Sequence, residues 1–487
     1  MFLGLDIGTS AAKAVLVDAD DRLIAQADAP LTVSRPAPLW SEQDPGEWWV
    51  ACCAAVAELR IRSPDAWSRV ESIGLSGQMH GAVVLGADDR PLRAAILWND
   101  GRSAAACVEL ERRWPRLTEV TGNRAMPGFT APKLLWLAEN EPAIFAACRR
   151  ILLPKDYVRL LMTGEAASDM SDSAGTLWLD VGRRAWSEEA LAATGLNCAH
   201  MPTLYEGTEP TGRLRASVAQ RWGLSGRPIV AAGAADNAAG AVGMGVIESG
   251  AAFASLGTSG VTFVASDRFE PNPAGGVHTF CHALPGRWHQ MAVHLSAGSC
   301  LAWLARILGS SEQMLLDELT GEPAAPHGLY FLPYLSGERT PHNDPTAVAQ
   351  FNGLTAATGR NEMVQAVLEG VAFAFRDGVD AIRASGTVIG RLSLTGGGAR
   401  SRYWAQIIAD VLELPLDLRA GGEVGPAFGA ARLARLAVTG EDPTDVCREP
   451  PLVETITPRP DRSGIYRDSQ SRFRSLYPGN VADRSVR

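Results

Sequence analysis

Two stretches half a chain apart carry the same short pattern. Ile7-Gly8-Thr9-Ser10-Ala11-Ala12-Lys13-Ala14-Val15-Leu16-Val17-Asp18 aligns without gaps with Leu256-Gly257-Thr258-Ser259-Gly260-Val261-Thr262-Phe263-Val264-Ala265-Ser266-Asp267. The Gly, Thr and Ser positions, Val15 with Val264, and the final Asp are identical. Each copy reads as strand, Gly-Thr-Ser turn, strand. The period is far too long for a solenoid, so the repeat predicts two domains of related topology. A chain of 487 residues is also too long for a single core. We place the boundary between residues 246 and 247, giving domains 1–246 and 247–487.

Around the first copy the chain reads as a meander of Phe2–Leu5, Lys13–Val17 and Arg22–Gln26. Helical spacing marks Glu47–Leu59, Lys133–Leu137 and Tyr403–Val411. The Ala- and Gly-rich stretch Pro228–Gly260 resembles a linker in composition. Its polar residues, Asp236 and Asn237, sit at one point, so it reads instead as close packing. Ser463–Tyr477 is expected to dock as a helix, and Pro478–Arg487 to fray as a polar tail.

Composition narrows the classes of function. Charged residues make up 20% and the formal net charge is −9, with no basic patch, which argues against nucleic-acid binding. No apolar run has the length of a membrane helix, and the N-terminus lacks signal-peptide features. Eight scattered cysteines without CxxC spacing read as buried free thiols in a reducing cytoplasm. Oligomeric state, a homodimer included, is left open.

A Gly-Thr-Ser turn between strands turns backbone N–H groups and hydroxyls outward, as phosphate oxygens require. Two such turns could grip a polyphosphate from both sides; ordinary hairpins are the plain alternative. Neither a P-loop nor a dinucleotide-binding glycine motif is present. Leu394-Thr395 runs into Gly396-Gly397-Gly398, where backbone lies bare for a flat group such as a nucleoside, or simply turns tightly. Asp236 ends a strand and opens a helix of small residues. A helix cap is the usual role of such an aspartate, but backbone crowding makes it a candidate catalytic carboxylate.

The order of these parts resembles the actin/Hsp70/hexokinase superfamily, a two-domain α/β, ribonuclease H-like fold with ATP in the interdomain cleft. Within it the chain resembles the FGGY carbohydrate kinases over nearly its whole length. Leu5-Asp6-Ile7-Gly8-Thr9-Ser10 and Gly128-Phe129-Thr130-Ala131-Pro132-Lys133 carry that likeness. Gly77-Gln78-Met79-His80-Gly81, Leu97-Trp98-Asn99-Asp100-Gly101-Arg102 and Leu335-Ser336-Gly337-Glu338-Arg339-Thr340-Pro341 are similar to the xylulose kinase branch.

The resemblance implies phosphorylation of D-xylulose by ATP, in xylose catabolism feeding the pentose phosphate pathway. It implies Asp236 as catalytic base and Asp6 as the carboxylate near Mg²⁺ and the transferred phosphoryl group. Gln78, Met79, His80 and Asn237 are the implied sugar contacts. Gly8, Thr9, Ser10, Lys13, Gly257, Thr258, Ser259, Gly396, Gly397 and Gly398 are the implied ATP contacts. No role follows for Trp98, Asp100 or Arg102. A glycerol kinase, a ribulokinase and a non-kinase ATPase are the competing readings. An Arg-Glu pair typical of glycerol kinases is replaced here by Met79-His80.

Overall fold

A computed structural model describes residues 1–319, 321–421 and 425–484. It contains two seven-stranded sheets. The first is built on β1 (Phe2–Ile7), β2 (Ala11–Val17), β3 (Leu23–Pro30), β4 (Ser72–Gly77), β5 (Pro210–Arg213) and β6 (Ile229–Ala231), in the order β5-β6-β4-β1-β2-β3. A two-residue strand, Ala234–Ala235, joins it beside β4. The second consists of β7 (Ala252–Leu256), β8 (Gly260–Ser266), β9 (His278–Cys281), β10 (Trp288–His294), β11 (Leu392–Thr395), β12 (Leu416–Arg419) and β13 (Leu452–Ile456). Its order is β9-β10-β8-β7-β11-β12-β13.

The two sheets share a plan. An antiparallel meander (β1-β2-β3; β7-β8-β10) is extended by two parallel strands (β4, β6; β11, β12) and closed by an antiparallel one. The repeated sequence occupies the same hairpin in both: Asp6 faces Lys13 in the first, and Ser255 faces Val261 in the second.

The helices that matter here are α1 (Pro45–Arg62), α2 (Thr130–Asn140), α3 (Met170–Ala174), α4 (Asp236–Met244), α5 (Arg360–Arg383), α6 (Arg402–Leu412), α7 (Pro426–Thr439) and α8 (Pro460–Arg484). Asp44 caps α1 by accepting from the Gly46 N–H, and Pro45 occupies its first turn, where a missing N–H costs nothing. The docked C-terminal helix therefore runs past Tyr477 to Arg484, correcting the expected frayed tail; residues 485–487 lie outside the described residues. Six of the eight free cysteines are buried, as expected, whereas Cys53 is half-buried and Cys198 exposed.

One helix crosses between the halves. α7 lies on β1, β4 and α4, so a late segment packs on the first sheet. Small residues make this approach possible. A Cβ on Gly74 would sit 1.8 Å from the Ala430 carbonyl oxygen. The Ser72 hydroxyl donates to the Ala434 carbonyl at 2.7 Å. Because backbone, not a flexible side chain, fills the space, Gly74→Ala should push α7 outward. The expected cost is about 3 kcal/mol, the upper end for overpacking, or roughly 6–12 °C in Tm. A melting curve superimposable on wild type would contradict this account of the contact.

Candidate active site

The base candidate owes its position to the break between β6 and α4. Gly233 has φ +73, and a Cβ there would lie 1.9 Å from the Leu75 carbonyl oxygen. Only glycine lets the chain pass this close over β4 in a left-handed turn. The Ala235 N–H then donates to the Ser171 hydroxyl at 3.0 Å, and that hydroxyl donates to Asp169 at 2.5 Å. Asp169 caps α3 and pairs with the fully buried Lys155 at 2.6 Å. The start of α4 is thus tied to a charged cluster inside the first domain.

Asp236 is the first residue of α4, one step inside the N-cap, which is Ala235. The capping alternative for this aspartate therefore fails in its usual form. Its Oδ1 accepts from the Asn237 N–H (2.7 Å) and the Asn237 Nδ2 (3.0 Å). Burial raises its pKa to about 7, the negative charge of Asp6 adds to the rise, and the Asn237 N–H opposes it. Asp6 ends β1. Burial raises it to about 6, against the pull of the Ser76 hydroxyl and the Lys13 cation. The residue is partly exposed, but its Oδ1 is shut from solvent; the Ser76 hydroxyl is near Asp6 but outside hydrogen-bonding geometry, and among the described residues Oδ1 has no hydrogen-bond partner.

A cavity of about 240 Å³ opens beside Asp236; Asp6 does not line it. Met79, His80, Trp98, Asp236 and Asn237 line it from the first half; Ser259, His278 and Arg339 line it from the second. His80 has φ +67, a left-handed conformation rare outside glycine. Lys133 Nζ (2.7 Å) and the Thr130 hydroxyl (3.1 Å), both on α2, hold its carbonyl. Its Nδ1 lies 2.7 Å from the Gly175 carbonyl, just past α3. A carbonyl only accepts, so Nδ1 carries the proton and Nε2 presents a lone pair. Burial, aided by the nearby Lys133 cation, drops the imidazole pKa to about 3, so it stays neutral. Strain of this kind clusters at functional sites.

A larger cleft of about 910 Å³ lies within the second half, lined by Gly257, Thr258, Gly397, Gly398 and the start of α6. Gly396, with φ +93, passes against the Leu256 carbonyl beneath it without lining it. Gly8, Thr9, Ser10 and Lys13 line neither cavity. The Thr9 hydroxyl is engaged, donating to Gln78 and accepting from the Trp98 indole, each at 3.0 Å. Gln78 also stands apart from the cavity. Its amide nitrogen donates to Gln43 (2.8 Å) and to the Gly8 carbonyl (3.3 Å), so it braces the first turn. Ser259, expected with the nucleotide, lines the smaller cavity instead.

Sequence reasoning left Trp98 without a role, and it proves to be a wall of the smaller cavity. Asp100 and Arg102 are structural. Asp100 accepts from the Ser41 N–H at 2.6 Å and pairs with Arg102 at 2.7 Å. Arg102 also pairs with Glu42 and lies 3.6 Å over Trp40. Phe129, His278, Phe280 and Arg339 were missed as cavity residues. Arg339 stands in the segment Leu335–Pro341, which resembles the xylulose kinase branch, and nothing local marks its side chain as inward-facing.

Known proteins fit this arrangement. Residues 1–243 match the N-terminal domain, and 252–438 the C-terminal domain, of the FGGY family of carbohydrate kinases. A xylulose kinase of Escherichia coli strain K12 is 50% identical over 481 residues, 98% of either chain. A crystal structure of a xyloylose kinase from Brucella ovis superposes with a TM-score of 0.97 at 52% identity over 99% of both chains. A xylulose kinase structure from Rhodospirillum rubrum gives 0.91 at 31% identity over 98% of both. With its doubled mixed sheets and both domain matches, this chain belongs to the FGGY family of carbohydrate kinases.

Proposed function

We propose that the protein transfers the γ-phosphoryl group of ATP to the 5-hydroxyl of D-xylulose. The observation that carries this reading is Asp236, a carboxylate held near pKa 7 in a cavity shared by both halves, whose largely apolar walls carry a few polar groups such as His80, Asn237 and Arg339. The likeness to xylulose kinases names the sugar. Phosphoryl transfer makes little covalent demand on a protein, so positioning and electrostatics dominate. The 5-hydroxyl oxygen forms a bond to the γ-phosphorus as the bond to the β-phosphate oxygen breaks. ADP departs, and the hydroxyl proton passes to Asp236. A non-kinase ATPase would have no use for such a sugar-sized cavity.

The unpartnered, buried Oδ1 of Asp6 suits Mg²⁺, a hard cation that takes one or two protein carboxylates and fills its other positions with water and phosphate. When bound, the ion neutralises charge on the phosphates. The Gly257-Thr258 turn and Gly397-Gly398 would take the nucleotide, in the cytoplasm where ATP is supplied. The test is an ADP-release assay with D-xylulose, ribulose, glycerol and no sugar. Release with D-xylulose well above the other three supports the reading; release without sugar overturns it.

His80 would accept a sugar hydroxyl through Nε2. Removing one buried partner costs about 1–3 kcal/mol, so His80→Ala should raise the sugar KM roughly 5- to 150-fold and leave the ATP KM within about twofold. Unchanged sugar kinetics would make the imidazole structural. Residues 1–246 and 247–487 would close on the ligands, excluding water as an acceptor. Small-angle scattering should then show a smaller radius of gyration with sugar and nucleotide bound, and an unchanged radius would refute closure.

A further inference from the structure

Arg339 is the one arginine lining the smaller cavity. It reaches the cavity from the second half, and among the described residues it has no carboxylate partner. Glu338 is next in sequence, but its Oε1 accepts from the Leu295 and Arg339 backbone N–H groups (3.0 and 2.7 Å) and so fixes the main chain. Among the described residues the guanidinium's one side-chain hydrogen bond is Nη1 to His278 Nε2, at 3.5 Å.

That contact is orientated by a relay. Asn123 Nδ2 donates to the carbonyls of Thr121 (2.9 Å) and Thr279 (2.8 Å), which turns its Oδ1 towards His278 Nδ1 at 2.9 Å. The proton therefore sits on Nδ1, and Nε2 accepts from Arg339. The other guanidinium donors are left unspent. His80 stands at the same end: its ring lies 4.6 Å from Phe129, and His278 lies 5.6 Å from that same phenyl ring. This end thus offers one acceptor, His80 Nε2, and a fork of donors.

The chemistry of the acceptor sugar supplies the match. A 2-ketopentose closes its ring by adding the 5-hydroxyl to the C2 carbonyl. A 5-hydroxyl free to attack phosphorus therefore exists only in the open chain, and the open chain always carries a bare C2 carbonyl. That oxygen accepts and cannot donate, and the adjacent C1 hydroxyl oxygen can accept beside it. A guanidinium donates only, in a planar fork suited to two neighbouring oxygens.

We infer that Arg339 is a specificity-determining residue that donates to the C2 carbonyl and C1 oxygen of an open-chain ketose, selecting the form whose 5-hydroxyl can react. The inference rests on the ketose kinase reading above. The C1 and C2 oxygens lie at the opposite end of the ketose from the reacting 5-hydroxyl, so loss of the group should appear in sugar affinity and not in the chemical step.

The test compares D-xylulose with xylitol, the pentitol in which the carbonyl is reduced, on wild type, Arg339→Gln and Arg339→Lys. For Arg339→Gln the expected result is a D-xylulose KM raised about 100-fold, a xylitol inhibition constant raised less than about fivefold, and kcat within about threefold. Arg339→Lys keeps the charge without the fork and should lie between, raising the KM about tenfold. It also serves if the Gln variant does not fold. An equal loss for ketose and pentitol, or an unchanged KM, would overturn the inference. Failure of wild type to phosphorylate D-xylulose would instead sink the kinase reading. In that case the same pair of ligands, followed by fluorescence of Trp98 in the cavity wall, still decides whether Arg339 distinguishes a carbonyl.

Discussion

Asp236→Asn lowers kcat roughly 100- to 10,000-fold, the usual contribution of a general base, while D-xylulose affinity stays within about tenfold. An asparagine oxygen can still accept from the Asn237 N–H and Nδ2, so the start of α4 keeps its local bonds. What disappears is the capacity to take a proton from the sugar. In wild type that capacity requires the ionised carboxylate. With the pKa raised to about 7, kcat/KM should fall as pH drops through about 7. The variant's residual rate should lack that acid limb. Near-normal turnover would reduce Asp236 to a structural residue of the first helical turn.

Asp6→Asn is expected to cost about 100-fold or more in kcat, because a carboxylate is lost where the metal and the transferred charge would lie. The concentration of Mg²⁺ giving half-maximal rate should rise, with the D-xylulose KM nearly unchanged. A second readout is independent of metal. The charge of Asp6 is one of the two causes that raise Asp236, after burial. Its removal should move the acid limb of the remaining activity to lower pH. A variant with wild-type Mg²⁺ dependence and an unmoved pH profile would make Asp6 a strand-end residue and no more.

Much of this was legible in the sequence because it is local or repeated. The Gly-Thr-Ser hairpins are short-range patterns, and their recurrence gave the doubled sheet. Met79 and His80 stand on the bend after β4, and Asp236 and Asn237 open α4, positions at element ends where side chains have little choice of direction. Gln78 shows the limit of that reasoning. It directly follows β4, but its amide is taken up by Gln43 and Gly8, which are distant in sequence. The first Gly-Thr-Ser turn matches the second in pattern, yet its threonine is bound into a network with Trp98 and Gln78. The inward placement of Arg339 and the docking of α7 on the first sheet were illegible for the same reason, although Gly425–Ala431 reads in sequence as a small-residue helix start. Their positions are set by contacts spanning tens to hundreds of residues, such as Ser72 with Ala434, and no window of sequence displays these. Asp100 and Arg102 have no assignable role as isolated charges and are seen to be structural only once Glu42 and Trp40 stand around them.

The most direct test of the account is the ³¹P spectrum of wild-type protein incubated with ATP, Mg²⁺ and D-xylulose. The account predicts one new phosphomonoester signal, split into a triplet by the two protons on C5, growing in step with ADP. Inorganic phosphate as the sole new signal, or an ester on any other carbon, would contradict it.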